Sequence, residues 1–116
     1  MKRISASLVL VCAAFASPAM ADAPAAFAAC AACHSADGTN GLGPSLKGVY
    51  GRKAGTAAGF RYSPAMKKAG TVWDDKALDN FLADTQKAIP GNVMPFPGVP
   101  DAKQREEIIG YLKSVK

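Results

Sequence analysis

Three neighbouring residues have the types and the spacing to attach a haem. Cys30 and Cys33 are three positions apart, and His34 follows directly. Residues three apart share one face of a helical turn, so both thiols can reach the two vinyl groups of one porphyrin. The adjacent imidazole can then bind the iron, for which neutral histidine is a good ligand. The C-x-x-C-H pattern therefore predicts a haem held by two thioether bonds.

Other uses of a C-x-x-C pair fit the sequence less well. Such a pair can also form half of a zinc site, a thioredoxin-like redox pair or a disulfide. Zinc needs about four ligands, but outside the motif the chain has only Cys12 and no second histidine. A thioredoxin-like pair belongs in a βαβ context, of which the sequence shows no sign. The residues therefore favour haem attachment.

The second axial position of the iron has two candidate ligands after residue 21. Met66 lies between basic residues on a short predicted helix, whereas Met94 lies in a loop that holds three prolines between residues 92 and 100. A methionine is usually core filler, but a rigid Pro-Gly-x-x-Met-x-Phe loop is an unusual place for filler. The residues favour Met94, with Met66 as the alternative, and a thioether ligand would raise the reduction potential.

The first 21 residues have the pattern of an export signal. Two basic residues follow Met1, residues 4–16 are apolar or small, and Ala19-Met20-Ala21 fits a small-x-small cleavage site. The apolar run is too short for a transmembrane helix, and no later segment is long enough. We therefore expect cleavage before Asp22, removal of Cys12 with the signal, and a soluble periplasmic protein that forms one domain from residues 22–116.

The rest of the chain predicts short helices separated by long loops. No stretch shows the alternation of a strand, so the predicted class is all-α. Five glycines interrupt residues 43–59, and so long an irregular loop needs a bound group to order it. Capping residues and prolines predict where helices start. An Ala-rich helix should run from Asp22 to Cys33, and later helices should start at Ser63, at Asp74 or Asp75, and at Asp101.

Charged residues are unevenly distributed along the chain. Residues 47–68 contain no acid, and a stretch that is mostly acidic follows at residues 74–84. This pattern is either an ordinary solvated surface or a dipole that steers the protein toward an acidic partner. Nucleic acid is not an expected partner, because the chain has no basic helix with interleaved aromatic residues. The basic residues are Lys47, Arg52, Lys53, Arg61, Lys67 and Lys68.

Taken together, the motifs resemble the small soluble class I cytochromes c, that is, the mitochondrial cytochrome c type and its bacterial relatives. The similarity extends from Phe27 to Lys113. It is carried, in the family's order, by CAACH, GPSLKGVYGRKAG, GFRYSPAMKKAGTVW, IPGNVMPFPGV and IIGYLK. The resemblance implies three to five helices and long loops wrapped around one covalent haem. It also implies a one-electron carrier rather than an enzyme.

The resemblance also assigns roles to individual residues. Cys30 and Cys33 would bind the haem vinyl groups, and His34 and Met94 would bind the iron. The carbonyl of Pro44 would accept a hydrogen bond from Nδ1–H of His34 and so fix the imidazole tautomer. The other matches are Leu46, which would pack on the haem, Arg52, Tyr62 and Trp73, which would pair with the propionates, and Phe96, which would lie beside the exposed haem edge.

Family likeness further suggests a monomer that takes electrons from a quinol:cytochrome c reductase. A terminal oxidase or a photosynthetic reaction centre would accept them. The alternative is a haem c subunit of a larger periplasmic oxidoreductase complex. Two departures from the mitochondrial pattern bear on the site. Phe81 replaces a tyrosine that hydrogen-bonds the methionine sulfur, and Val93 replaces a lysine, so the cationic ring around the haem edge should be weaker.

Overall fold

The computed structural model describes residues 22–116, so the predicted export signal lies outside the described residues. Within this range no strand forms, and one isolated antiparallel bridge joins Lys53 to Val72. No helix within residues 22–116 is long and apolar enough to cross a membrane. The prediction of an all-α chain with long loops is confirmed. A 3-10 turn, Ala25–Phe27, precedes α1 (Ala28–Ala31), α2 (Pro64–Lys68), α3 (Asp75–Ala83), α4 (Thr85–Ala88) and α5 (Ala102–Ser114).

Side-chain caps begin three of the helices, as predicted. The Ser63 hydroxyl accepts the N–H of Met66 at 3.2 Å, and the Asp74 and Asp101 carboxylates accept the N–H of Ala77 and Gln104, both at 2.8 Å. Each bond satisfies a backbone donor that a helix start leaves without an intrahelical partner. Asp74 is therefore the cap of α3, and Asp75 belongs to its first turn.

The predicted cap at Asp22 was wrong. The first turn begins after Pro24, whose backbone is extended (φ −65°, ψ 155°), and no side chain caps it. Asp22 lies two residues before Pro24, too far back for its carboxylate to cap this turn. The Ala-rich segment then starts as a 3-10 turn and continues as α1, which ends at Ala31 rather than at Cys33.

The core forms where α5 crosses α3 and the first turn. Leu78, Phe81 and Leu82 of α3 are buried, as are Ile108, Ile109 and Leu112 of α5. The Phe27 ring meets the Tyr111 ring nearly edge-on, with 4.7 Å between the centroids. This packing fixes the first turn on α5, and Cys30 comes three residues after Phe27. The attachment motif is therefore positioned by contact between the two ends of the domain.

A break at Asp84 separates α3 from α4. The backbone of Asp84 is extended (φ −156°, ψ 104°), and its carboxylate accepts the N–H of Lys87 at 3.0 Å, which caps α4. The sequence pattern predicted no separate helix here. At this break the exposed Asp84 is followed by Thr85, which is fully enclosed with 0% of its surface exposed.

Candidate haem site

The C-x-x-C-H motif forms one closed turn at the end of α1. The N–H groups of Cys33 and His34 both donate to the carbonyl of Cys30, at 3.1 and 2.9 Å. Both thiols are free and half-buried, and burial raises the pKa of the Cys30 thiol above its ordinary value. Thioredoxin-like cysteines have lowered pKa values instead. No group of three or more His, Cys, Asp or Glu side chains placed to hold a metal ion occurs among residues 22–116.

The imidazole of His34 is oriented by the chain itself. Its Nδ1 lies 2.7 Å from the carbonyl oxygen of Pro44, the contact that the resemblance implies. A carbonyl oxygen can only accept, so Nδ1 is the donor, and in the neutral imidazole Nε2 then keeps its lone pair. A hydrogen bond of this kind fixes the tautomer and increases the basicity of the ligating nitrogen. Nε2 of His34 is therefore prepared to bind a metal.

Gly43 allows the backbone to lie directly against this imidazole. A Cβ at this position would lie 2.5 Å from Cε1 and 2.7 Å from Nδ1 of His34, closer than real side chains pack. The N–H of Gly43 also donates to the carbonyl of Cys33 at 2.8 Å. The sequence predicted only a turn here, although a glycine directly before Pro44 was a signal for close backbone approach. Sequence reasoning missed this contact between Gly43 and the candidate ligand His34.

A hydrogen-bond network around Ser45 holds the Pro44 segment in place. The N–H of Ser45 donates to Oδ1 of Asn40 at 2.9 Å, and its hydroxyl accepts the N–H groups of Gly38 and Lys47 at 2.9 and 3.2 Å. The Arg52 guanidinium donates to the carbonyls of Ser45 and Lys47, at 3.3 and 3.1 Å. These contacts fix the loop that presents the Pro44 carbonyl to His34.

Two of the three residues matched to propionate partners lie side by side. The N–H of Trp73 donates to the carbonyl of Arg52 at 3.0 Å, and the buried Trp73 ring lies 5.0 Å from the Phe81 ring. Arg52 has five donors, so its two carbonyl contacts leave others available. The Tyr62 hydroxyl accepts the N–H of Ala57 at 3.0 Å and keeps its own hydrogen to donate. No hydrogen bond recorded among residues 22–116 joins Tyr62 to the other two.

Several apolar side chains at the edge of the core fit a flat apolar group. They are half-buried and pack against the buried core, and a porphyrin in contact with them would cover apolar surface that is still exposed. Both candidate methionines are in this set, so burial alone does not decide between them. The half-buried set includes Cys30, Leu46, Met66, Met94 and Phe96.

The loop that carries Met94 is fixed to α4 on both sides of the methionine. The side chain of Asn92 is buried; its Nδ2 donates to the carbonyls of Thr85 and Ile89, both at 2.8 Å, and its Oδ1 accepts the N–H of Met94 at 3.1 Å. The Thr85 hydroxyl donates to the carbonyl of Phe96 at 2.7 Å. No sequence motif pointed to Asn92 or Thr85, because these contacts depend on how α4 meets the loop.

The segments nearest to the motif and to Met94 are uncharged. Residues 26–36, 38–46 and 88–100 contain no lysine, arginine or acid, and they expose Leu42 (85%) and Val93 (75%). The two ion pairs recorded among residues 22–116 are Arg105–Asp79 and Lys113–Asp75, each 2.7 Å between nitrogen and oxygen. The six basic residues of the stretch 47–68 take part in neither pair.

Comparison with known proteins finds similar sequences and a similar structure. The family model described as Cytochrome c matches residues 20–116. Cytochrome c2 iso-2 of Magnetospirillum fulvum is 53% identical over 96 residues, which cover 82% of this chain and 100% of that protein. Cytochrome c2 of Rhodoblastus acidophilus is 46% identical over 92 residues, 78% of this chain and 86% of that protein. Cytochrome cH from Methylobacterium extorquens superposes with a TM-score of 0.74 at 51% identity, covering 77% of this chain and 91% of that one.

The matched region includes the whole attachment motif and all five helices. The helical fold agrees with that of the solved relative, and the cysteine spacing agrees with the family's covalent cofactor. The chain therefore belongs to the cytochrome c family: it is a class I cytochrome c, a small electron carrier with haem c attached through Cys30 and Cys33.

Proposed function

We propose that this cytochrome is a periplasmic one-electron carrier whose haem iron is bound by His34 and Met94. The observation that carries the proposal is that the chain holds both residues by hydrogen bonds, His34 through its imidazole and Met94 through its backbone N–H. Nδ1 of His34 lies 2.7 Å from the Pro44 carbonyl, and the Met94 N–H is 3.1 Å from Oδ1 of Asn92. When bound, haem iron supplies the one-electron change between its ferric and ferrous states. The chain supplies fixed ligands, so little needs to move when an electron is exchanged.

The surroundings of the two methionines support Met94 over Met66. Met94 is half-buried while its neighbours Val93 and Pro95 are exposed, so its side chain alone turns toward the core edge. Met66 lies on α2, whose backbone makes no close approach to another helix of residues 22–116. A ligand on such a segment would be held less firmly than one on a loop fastened to α4.

Export remains part of this proposal. If residues 1–21 are a cleaved signal, material from the periplasm should begin at Asp22 and carry one covalent haem. Intact-mass analysis under denaturing conditions should give the mass of residues 22–116 plus a single haem. A mass without haem, or one that includes Cys12, would show that the proposed processing is wrong.

Docking to redox complexes is expected to use the uncharged surface beside the haem ligands. A quinol:cytochrome c reductase is the proposed donor, and a terminal oxidase or a photosynthetic reaction centre the proposed acceptor. The exposed Leu42 and Val93 would give an apolar contact, while the basic residues of the stretch 47–68 would steer the approach of an acidic partner.

The same apolar surface favours the second candidate, a haem subunit of a larger complex. Gel filtration of periplasmic extract distinguishes the two, because a free carrier elutes as a monomer.

Electron exchange with an acidic partner should slow as salt rises. Lys67 and Lys68 are exposed and take part in neither recorded ion pair. Steering acts over a Debye length of about 8 Å at physiological ionic strength, so the effect should fade through that range. In a bimolecular rate measurement, Lys67→Glu should lower the rate at low salt and converge with the unmodified protein at high salt. Lys103→Glu on α5, outside the basic stretch, is the matched control, and a rate that rises with salt would contradict steering by this stretch.

A further inference from the structure

Thr85 directs all of its polar groups to the loop that carries Met94. It is fully enclosed, with 0% of its surface exposed. Its carbonyl accepts from Nδ2 of Asn92 at 2.8 Å, before the methionine. Its hydroxyl donates to the Phe96 carbonyl at 2.7 Å and its N–H to the Pro97 carbonyl at 3.2 Å, both after the methionine. Thr85 therefore bonds to the loop on both sides of Met94. We call the part before Met94, with Asn92, the first arm, and the part after it, with Phe96 and Pro97, the second arm.

Met94 lies between these two arms. On the first arm, its own N–H donates to the side chain of Asn92, which Thr85 in turn holds. On the second arm, only Pro95 separates Met94 from Phe96. We propose that Thr85 is a positioning residue that keeps the Met94 thioether at the iron, an inference that rests on the proposed role of Met94 as a ligand.

The two arms are not equally secured, which makes the proposal specific. The first arm has a second clamp, because Gln86 donates to the Asn92 carbonyl at 2.7 Å and accepts the N–H of Gly91 at 3.2 Å. The second arm is held to α4 by the hydrogen bonds of Thr85 before it reaches Val99, whose N–H donates to the Leu82 carbonyl. Removing the Thr85 hydroxyl should therefore loosen the chain mainly at Phe96.

A looser second arm should raise the population in which Met94 has left the iron. An external ligand for ferric iron binds only that population, so its apparent affinity increases with the open fraction. Losing one buried hydrogen bond typically changes an equilibrium by about tenfold. The Thr85 hydroxyl should thus lower the apparent affinity of the sixth iron position for external ligands, and its removal should raise that affinity.

The experiment compares Thr85→Val with Thr85→Ser in the haem-loaded ferric protein, with imidazole as the external ligand. Thr85→Val keeps the shape and removes the donor, so imidazole should bind about tenfold more tightly. Thr85→Ser keeps the donor, so its affinity should stay within about twofold of the unmodified protein. Thr56→Val is the matched control, because the Thr56 hydroxyl donates to the Lys53 carbonyl in a different, exposed loop.

Thermal unfolding of the same proteins separates positioning from general stability. If Thr85→Val unfolds at a lower temperature but binds imidazole with unchanged affinity, Thr85 is only structural and the proposal is wrong. If Thr85→Val does not fold, amide exchange in the unmodified protein decides. The N–H groups of Thr85 and Met94 should be protected to a similar degree, and an unprotected Thr85 amide beside a protected Met94 amide would overturn the proposal.

Failure of the proposed ligand set would look different. If Met94→Leu binds imidazole no more tightly than the unmodified protein, Met94 is not the ligand, whatever Thr85 does. If Met94→Leu binds imidazole more tightly than the unmodified protein but Thr85→Val binds it with unchanged affinity, only the proposed role of Thr85 is wrong.

Discussion

Met94→Leu should let carbon monoxide bind the ferrous protein and should lower the reduction potential, whereas Met66→Leu should do neither. A thioether ligand favours ferrous iron, so its loss should shift the potential downward by on the order of 0.2 V, within the range of about 0.8 V that axial ligands span. Leucine conserves the volume and the apolarity of methionine at both positions. The two variants are thus matched except for the sulfur at the iron.

Carbon monoxide difference spectra and a redox titration measure both effects. Binding of carbon monoxide by the Met66→Leu variant but not by the Met94→Leu variant would assign the ligand to Met66. In that case the hydrogen bonds of Asn92 and Thr85 would stabilise the loop without serving the iron.

Gly43→Ala should destabilise the haem-loaded protein by about 3 kcal/mol, since it combines overpacking with the loss of a partly buried hydrogen bond. The added methyl would lie 2.5 Å from Cε1 of His34, so either the imidazole or the Gly43 backbone must move. Either movement weakens the hydrogen bond between Nδ1 of His34 and the Pro44 carbonyl. Denaturant unfolding of the haem-loaded protein measures the change.

Gly41→Ala is the control for this prediction. It lies in the same loop, and its Cβ would meet the Cys33 carbonyl oxygen at an ordinary 3.5 Å. Its cost should stay below about 1 kcal/mol. Equal free energies of unfolding for Gly43→Ala and the unmodified protein would mean that the loop absorbs the methyl and that Gly43 does not position His34.

Features that depend on local sequence were predictable. Capping by Ser63 and Asp101 follows from residues adjacent to their helices, and the C-x-x-C-H motif is contained within one turn. The first helix was placed too early because Pro24, rather than Asp22, sets where the turn begins. Local patterns therefore gave the class of the fold and the attachment site, with an error where two local signals competed.

Features that depend on tertiary approach were not predictable. The Thr85 hydroxyl reaches a carbonyl 11 residues later, and Asn92 bonds back to one seven residues earlier. A threonine in a polar stretch and an asparagine in a Pro-rich loop have many surface uses, so their types carried no signal. Only the break at Asp84 and the path of the loop turn these side chains inward.

A spectroelectrochemical titration of the unmodified haem-loaded protein, recorded with and without carbon monoxide, tests the carrier function most directly. A closed His34–Met94 ligand set predicts one reversible one-electron transition whose midpoint does not change under carbon monoxide. A midpoint that rises under carbon monoxide would mean that the gas binds ferrous iron at an open sixth position, and the protein would then not be the proposed closed electron carrier.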